Sequence, residues 1–141
     1  MWYATADTYP QNAVRGPIVM ITNQWAGSDG DIVAAATQAM GYAKVIGERS
    51  WGGVVGIDGR FDLVDGTSVT QPRYAGWYGS YGWGVENHGV DPDIVVTVSP
   101  EDWQSDNDVQ LDAAIAECLQ QLDEKPAATP PELPGPAFGR C

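Results

Sequence analysis

The order of an apolar run, an amphipathic segment and a second apolar run restricts the fold of this chain more than any other feature of its sequence. Residues 18–22 and 43–47 are largely apolar and rich in β-branched side chains, so both predict short buried strands. Residues 31–40 predict a helix that Gly41 can end. The apolar positions near helical spacing are Ile32, Val33, Ala36 and Met40. Two strands joined by a helix within about 30 residues indicate a right-handed parallel crossover, and hence an α/β fold.

The turn between the first strand and the helix carries a serine, Ser28, within the sequence NQWAGSDGD of residues 23–31. At such a turn a hydroxyl can be exposed while free amides of the first helical turn point at the group that it attacks. Those amides suit a developing oxyanion, which indicates a serine nucleophile. The alternative is a helix cap, because Asp31 follows Ser28 by three residues, and such a capping box stabilises a helix by about 1 kcal/mol. A nucleophile can also occupy the cap position.

Charge and composition disfavour several classes of partner. The 141 residues most simply form one domain with a core. Nineteen acidic against seven basic side chains give a net charge of −12, which disfavours binding to nucleic acid or to an anionic membrane. No apolar run approaches the roughly 20 residues that span a bilayer, and no secretory signal opens the chain. Cys118 and Cys141 make neither a disulfide framework nor a metal site, so we expect a cytoplasmic protein.

The middle of the chain changes to short β segments and an aromatic loop. Residues 61–64 and 68–70 flank Asp65-Gly66-Thr67, and an Asp-Gly pair in this setting predicts a β-hairpin. Residues 76–89 are rich in glycine and aromatic side chains, which predicts an ordered but irregular loop. Packing of the aromatics over the sheet edge is the simpler expectation, and stacking on a peptide or a sugar is the alternative. These aromatics are Trp77, Tyr78 and Trp83.

The last third of the chain predicts a strand, a helix and a tail. Residues 94–98 form the strand, and Asp106 or Asn107 can cap the helix. Its apolar stripe consists of Leu111, Ala114, Ile115, Cys118 and Leu122. Residues 124–141 hold half of the ten prolines and predict a disordered or polyproline tail. Residues 1–15 are polar and linker-like, so the predicted core is 16–123.

Four motifs follow one another along the chain: AGSDGD at 26–31, IGxRxWGGVVG at 46–56, LVDGT at 63–67 and GVENxGVDPD at 84–93. In this order they resemble the catalytic subdomain of the tricorn proteases, a family related to the C-terminal-processing (tail-specific) serine peptidases. The similarity covers residues 16–122. It implies an α/β spiral of the ClpP and crotonase kind, with short, mostly parallel strands, helices and a β-hairpin, and with the nucleophile at the start of a helix.

The resemblance also implies roles for three residues. Ser28 would be the nucleophile, the backbone amide of Asp29 would form half of the oxyanion hole, and Glu86 would orient the general base through a hydroxyl relay. The resemblance further implies peptide substrates, a homo-oligomer, and no metal or organic cofactor. For Glu86 the alternative is a solvated acid in a very acidic chain.

The general base is absent from the position where the tail-specific proteases carry it. Those proteases have a lysine 25 residues after the serine, where this chain has Gly53, so the resemblance favours a Ser–His arrangement of the tricorn kind. In tricorn proteases that histidine and the second oxyanion amide lie upstream, beyond a PDZ-like module, and no histidine precedes Ser28 here. We therefore expect an upstream peptidase subdomain and a PDZ-like module as partners, and little or no activity of the chain alone.

Two alternatives remain open from the residues themselves. His88 is the only histidine, and it could act as the base with Ser28 and Glu86, although it is more simply a loop residue. Asp91 and Asp93 more simply set a turn into the following strand than form a weak calcium site. A function of a different class is a non-catalytic peptide- or protein-binding module on a peptidase-like core.

Overall fold

The computed structural model describes residues 9–10 and 12–129 of the chain. Residues 1–8 and 11 of the predicted leader, and residues 130–141 of the predicted tail, lie outside the described residues. In chain order the elements are β1 (Val19–Thr22), α1 (Asp29–Met40), β2 (Lys44–Gly47), β3 (Gly56–Asp58), β4 (Gln71–Tyr74), β5 (Ile94–Val95), α2 (Pro100–Ser105) and α3 (Val109–Glu124).

The strands β1, β2 and β5 form one parallel sheet with β2 in the middle. Its register places Met20 of β1 opposite Val45 of β2. The predicted crossover is therefore confirmed, since the chain leaves β1, forms α1 and returns in parallel as β2. The strand β5 is shorter than the predicted segment 94–98, because β2 ends at Gly47. Beyond β5 only the N–H of Val96 still reaches the Gly47 carbonyl, at 2.8 Å.

The core of the domain lies between α1 and the sheet. Ala34 and Ala35 of the helix pack there against buried valines, which are Val45, Val54, Val85 and Val90. The face of α1 expected from apolar spacing is wrong, since Val33 and Met40 are exposed while Asp31 is buried. Nearly every position in the middle of α1 is apolar or small, so spacing alone could not select the buried face.

The predicted hairpin is present, but its paired strands lie further from the turn than expected. The turn is closed by a hydrogen bond from the N–H of Leu63 to the carbonyl of Thr67, at 2.9 Å. Residues 61–64 and 68–70 contribute only one isolated bridge, while β3 and β4 pair antiparallel outside them. Residues 59–70 are all exposed, so no core supports a longer ladder next to the turn.

The aromatic loop, residues 76–89, consists of turns, as predicted. Tyr78 and Tyr81 are partly buried against the core. Trp77 and Trp83 are exposed instead, so the expected packing of the loop aromatics holds for Tyr78 and is wrong for both tryptophans.

The two C-terminal helices differ from the prediction in their caps and in the buried face. α2 was not expected, although the sequence after Ser99 forms a capping box. α3 is capped by Asp108 rather than by Asp106 or Asn107. It buries Gln110, Ala114 and Glu117, whereas Leu111, Ile115 and Leu122 of the predicted stripe are 38–49% exposed. No helix in residues 9–10 and 12–129 is long and apolar enough to cross a membrane.

Candidate active site

Ser28 lies in the turn after β1, one residue before α1 begins. Its backbone has φ 54° and ψ −110°, a conformation that costs a residue with a side chain about 1–3 kcal/mol. Such strained residues cluster at active sites, where surrounding contacts hold them in place. The residue is exposed, so an incoming group can reach the hydroxyl.

The alternative role of Ser28 as a side-chain cap of the helix is wrong. The residue occupies the N-cap position, but its hydroxyl makes no capping hydrogen bond. Asp31, the other half of the predicted capping box, binds a different segment and is fully buried. Within the described chain the Ser28 hydroxyl therefore has no hydrogen-bond partner.

The backbone N–H of Asp29, the first residue of α1, is free. Nearby, the N–H of Gly30 donates to the Gly27 carbonyl at 2.9 Å, and that of Ile32 donates to the Ser28 carbonyl at 3.0 Å. For the Asp29 N–H, the described residues provide no acceptor. A free amide therefore lies at the positive end of the helix, directly after the residue with the exposed hydroxyl.

Near the Ser28 turn, the backbone N–H groups of residues 52–55 all donate to carboxylates. We call these four residues the amide segment. The first two donate to Asp31 at 2.8 and 3.1 Å, and the last two donate to one oxygen of Glu86 at 2.7 Å each. The Ser28 N–H in turn donates to the carbonyl of Gly53 at 3.1 Å. Because every N–H of the amide segment has an acceptor, none of them is available to an oxyanion.

Glu86 is half-buried, and only one of its carboxylate oxygens is engaged within the described chain. Oε2 accepts both amide-segment bonds, and Oε1 has no partner among the described residues. The next residue, Asn87, donates its N–H to the Gly52 carbonyl at 2.8 Å, so this loop and the amide segment are bound to each other in both directions. Glu86 is therefore not a freely solvated acid.

The structure does not bring His88 to Ser28. The Nε2 atom of His88 lies 2.8 Å from Oδ2 of Asp91, and both side chains are more than half exposed. Among the described residues no hydrogen bond joins the ring to Ser28 or to Glu86. The described part of the chain thus gives Ser28 no histidine base.

Asp93 supports the sheet. Its Oδ2 accepts the N–H of Val45 at 2.7 Å, and its Oδ1 accepts the side-chain amide of Gln38 at 3.0 Å. These bonds fix the turn into β5, which is the structural role expected for this residue. Over residues 9–10 and 12–129 no group of three or more His, Cys, Asp or Glu side chains could hold a metal ion.

Comparisons with known proteins identify the family. A model of "Peptidase family S41" matches residues 2–96 of this chain. The chain belongs to this peptidase family. Tricorn protease homolog 1 of Streptomyces coelicolor is 59% identical to this family S41 chain over 127 residues, and the tricorn protease of Thermoplasma acidophilum is 49% identical over 118 residues. The alignments cover 90% and 84% of the chain but only 12% and 11% of the two relatives.

Solved structures agree with the sequence relatives. The crystal structure of the tricorn protease matches this peptidase chain with a TM-score of 0.81 at 48% identity, over 86% of the chain and 12% of that protein. Mature CPAF matches with a TM-score of 0.61 at 18% identity, which indicates a shared fold alone. The resemblance to tricorn proteases and the α/β fold of short, mostly parallel strands with helices and a hairpin are confirmed.

Sequence reasoning missed the part that Asp31 plays in this family S41 peptidase chain. The sequence pattern indicates only the acid of a capping box at this position, because acids in the first turn of a helix commonly have that role. The signal that could have found it is the glycine pair at 52 and 53, whose adjacent N–H groups need an acceptor if the segment is buried.

A cavity of about 260 Å³ opens where the parallel strands end, next to the residues that lead to Ser28. Its lining combines carboxamides, carboxylates and two exposed tryptophans, including Gln24, Trp25, Glu48, Trp103, Asp106 and Gln110. The volume is at the small end of ligand pockets, so it suits one side chain rather than a large ligand.

Proposed function

We propose that this chain carries the nucleophile of a serine peptidase of the tricorn type, and that Ser28 attacks the carbonyl of a peptide bond. One observation carries the proposal: an exposed, uncapped hydroxyl on a strained backbone lies beside the free N–H of Asp29. Membership of a peptidase family and the high identity to proteins named tricorn protease support peptides as substrates.

The chemical step divides between groups of this chain and groups from outside it. Oγ of Ser28 forms a bond to the carbonyl carbon while its proton passes to a base. Collapse of the tetrahedral intermediate breaks the C–N bond, and the leaving amine takes that proton. The oxyanion accepts a hydrogen bond from the N–H of Asp29 and from a second donor. The N–H groups of the amide segment already have acceptors, so they do not serve as the second donor. In this proposal the second donor comes from the upstream subdomain, as the resemblance to tricorn proteases implies.

Glu86 suits the orientation of a base through a hydroxyl. A carboxylate with one oxygen fixed by two backbone N–H groups is held in place, and its other oxygen, Oε1, can still accept a hydrogen bond. A hydroxyl that donates to Oε1 could accept from a histidine and fix its orientation. That histidine comes from an upstream subdomain, because the only histidine of this chain, His88, is paired with Asp91.

The chain spans 11–12% of the tricorn relatives described above, so the complete activity is that of a larger assembly. We use the term peptidase assembly for this chain together with a histidine-bearing upstream subdomain and a PDZ-like module. In this proposal the core is residues 16–123, flanked by a leader at 1–15 and a tail at 124–141. The assembly is a cytoplasmic homo-oligomer, and it requires no metal or organic cofactor.

A fluorophosphonate probe tests the role of Ser28, because it reacts covalently with an activated serine. We expect the probe to label this chain within the peptidase assembly, and to label the isolated chain slowly or not at all, since the base is absent. Ser28→Ala should abolish labelling, whereas Ser80→Ala, a change at an exposed serine of the aromatic loop, should leave it unchanged. Equal labelling of the Ser28→Ala assembly would rule out the proposal.

The second candidate function is a non-catalytic peptide-binding module, and the cavity beside Trp25 favours it. Exposed tryptophans and carboxylates can hold a cationic side chain of a peptide without any covalent step. The same labelling experiment separates the two functions: an assembly that binds peptides but neither reacts with the probe nor cleaves a peptide is a binding module.

A further inference from the structure

We propose that Asp31 is a positioning residue of the peptidase, and that it holds the amide segment against the first turn of α1 so that Ser28 keeps its conformation. The inference rests on the proposed function of Ser28, but it concerns a different residue, one that touches neither substrate nor the reacting atoms.

Asp31 is 0% exposed, and every polar contact that compensates its burial comes from a neutral donor. Its Oδ1 accepts from the hydroxyl of Ser50 and from the N–H of Gly52, and its Oδ2 accepts from the N–H of Gly53. No ion pair to Asp31 is present among the described residues. Removal of a carboxylate from water costs several kcal/mol unless hydrogen-bond donors of the protein replace the water. The three hydrogen bonds to Asp31 offset this cost and so allow the carboxylate to be buried.

The contacts of Asp31 connect directly to the backbone of Ser28. Residues 50–53 are joined to the Ser28 turn by two backbone bonds: the N–H of Trp51 donates to the Ala26 carbonyl at 2.9 Å, and the N–H of Ser28 donates to the Gly53 carbonyl at 3.1 Å. Asp31 binds the same stretch through the two N–H groups in between. Asp31 therefore holds residues 52 and 53 in place, and the carbonyl of Gly53 in turn binds the N–H of Ser28. In this way a carboxylate one helical turn away supports the strained conformation of Ser28.

Ser50 extends the same support to the loop that carries Glu86. Its hydroxyl accepts the N–H of Val90 at 2.8 Å, so its own proton is left for Asp31. Asp31 therefore ties three parts together: the first turn of α1, the stretch that includes the amide segment, and the loop of residues 85–90. The proposed nucleophile and the proposed orienting acid depend on one shared set of hydrogen bonds.

The informative variant is Asp31→Asn, which keeps the size of the side chain but replaces one acceptor oxygen by an NH₂ group. At least one of the three donors then faces a group that cannot accept, and the first part of the amide segment is released. We expect kcat of the peptidase assembly to fall by about 100-fold, because small displacements at a reacting centre have effects of that size, while KM changes little.

The experiment compares kcat and KM of the peptidase assembly for Asp31→Asn and for a matched control, Asp112→Asn. Asp112 is also an acid in the first turn of a helix, but it is exposed on α3, and its variant should keep both constants. In parallel, amide hydrogen exchange in the chain should accelerate at residue 52 or 53, whichever N–H faces the NH₂ group, and remain slow at 54 and 55, which Glu86 still holds. A residue with a merely structural role would not lower kcat while KM stays the same. The exchange pattern shows separately that the first part of the amide segment has been released.

A folded Asp31→Asn assembly with the kcat of the wild type would overturn the inference, and so would uniform exchange across the amide segment. If Asp31→Asn does not fold, Ser50→Ala removes one donor to Asp31 and must lower kcat with little change in KM; an unchanged kcat rejects the positioning role. Ser28→Ala serves as the reference. Loss of turnover in Ser28→Ala with normal kcat in Asp31→Asn rejects only this inference, whereas turnover by Ser28→Ala rejects the proposed function itself.

Discussion

The carbonyl of Gly53 accepts the backbone N–H of Ser28 at 3.1 Å, so the glycine at the lysine position of the tail-specific proteases helps to hold the proposed nucleophile. Its contribution is a backbone group, which any residue could supply. The neighbouring Gly52 is different. It has φ +85°, and a Cβ atom there would lie 2.4 Å from the nitrogen of Gly89.

The two glycines should therefore differ sharply in their tolerance of alanine. Gly52→Ala forces a side chain into a positive-φ conformation and against backbone atoms that cannot move aside, so we expect a loss of more than about 3 kcal/mol in the free energy of unfolding. At Gly53 the atoms nearest to the added Cβ belong to the ring of the exposed Trp51, which can rotate, so we expect less than about 1 kcal/mol. Urea unfolding of both variants measures the difference, and equal losses would contradict it.

The sequence predicted those parts of the fold that depend on local pattern and motif. The β1–α1–β2 crossover followed from two apolar runs around a helix, and the hairpin followed from Asp65-Gly66. The buried face of α1 could not be predicted, because apolar or small residues, mostly alanines, occur all around the helix. On α3 the buried face carries Glu117 and Gln110, which contact Lys44 and the Val96 carbonyl, and such partners cannot be inferred from apolar spacing.

In the candidate site, too, motifs identified some residues, whereas features that depend on long-range contacts could not be predicted. Ser28, Asp29 and Glu86 were identified by motif, since each lies in a run that resembles the tricorn proteases. Asp31 was not identified, because its partners at residues 50–53 are about 20 positions away in sequence and are mostly backbone N–H groups, which every residue except proline carries. The conformation of Ser28 was also not predictable, because it depends on bonds to that same distant segment.

His88 should be dispensable for catalysis. Its ring contacts Asp91, and both side chains are more than half exposed, so His88→Ala should change the free energy of unfolding by less than about 1 kcal/mol. Labelling of the peptidase assembly by the fluorophosphonate probe should continue at the wild-type rate. A strong loss of labelling in a folded His88→Ala variant would restore His88 as the base.

The ion pair of Lys44 and Glu117 should make stability depend on acid pH. The two side chains lie 2.6 Å apart, and the hydrogen bond from Lys44, followed by that from Gln121, lowers the pKa of Glu117 from its ordinary value of 4.5. Because the pKa is lower in the folded state, the contribution to stability is complete above the ordinary value and is lost as the pH falls through the lowered one. Urea unfolding from about pH 6 to about pH 3 measures this loss.

The control for that measurement is Glu117→Gln, which removes the titrating group. The free energy of unfolding of the wild type should exceed that of the variant at pH 6, and the difference should shrink towards pH 3. A difference that stays constant over this range would show that the titration of Glu117 does not contribute.

Glu86→Gln separates the two oxygens of the carboxylate. The carbonyl oxygen of glutamine can still accept the N–H groups of Val54 and Val55, so the fold should be retained, with a change of less than about 1 kcal/mol in the free energy of unfolding. The NH₂ group at the position of Oε1 cannot accept a hydrogen bond, so a hydroxyl that orients the base loses its acceptor. We expect the labelling rate of the peptidase assembly to fall by about 100-fold, because general acid–base catalysis contributes at least that much. Glu101→Gln, at an exposed acid of α2, is the matched control, and a Glu86→Gln assembly that reacts as fast as this control would contradict the relay.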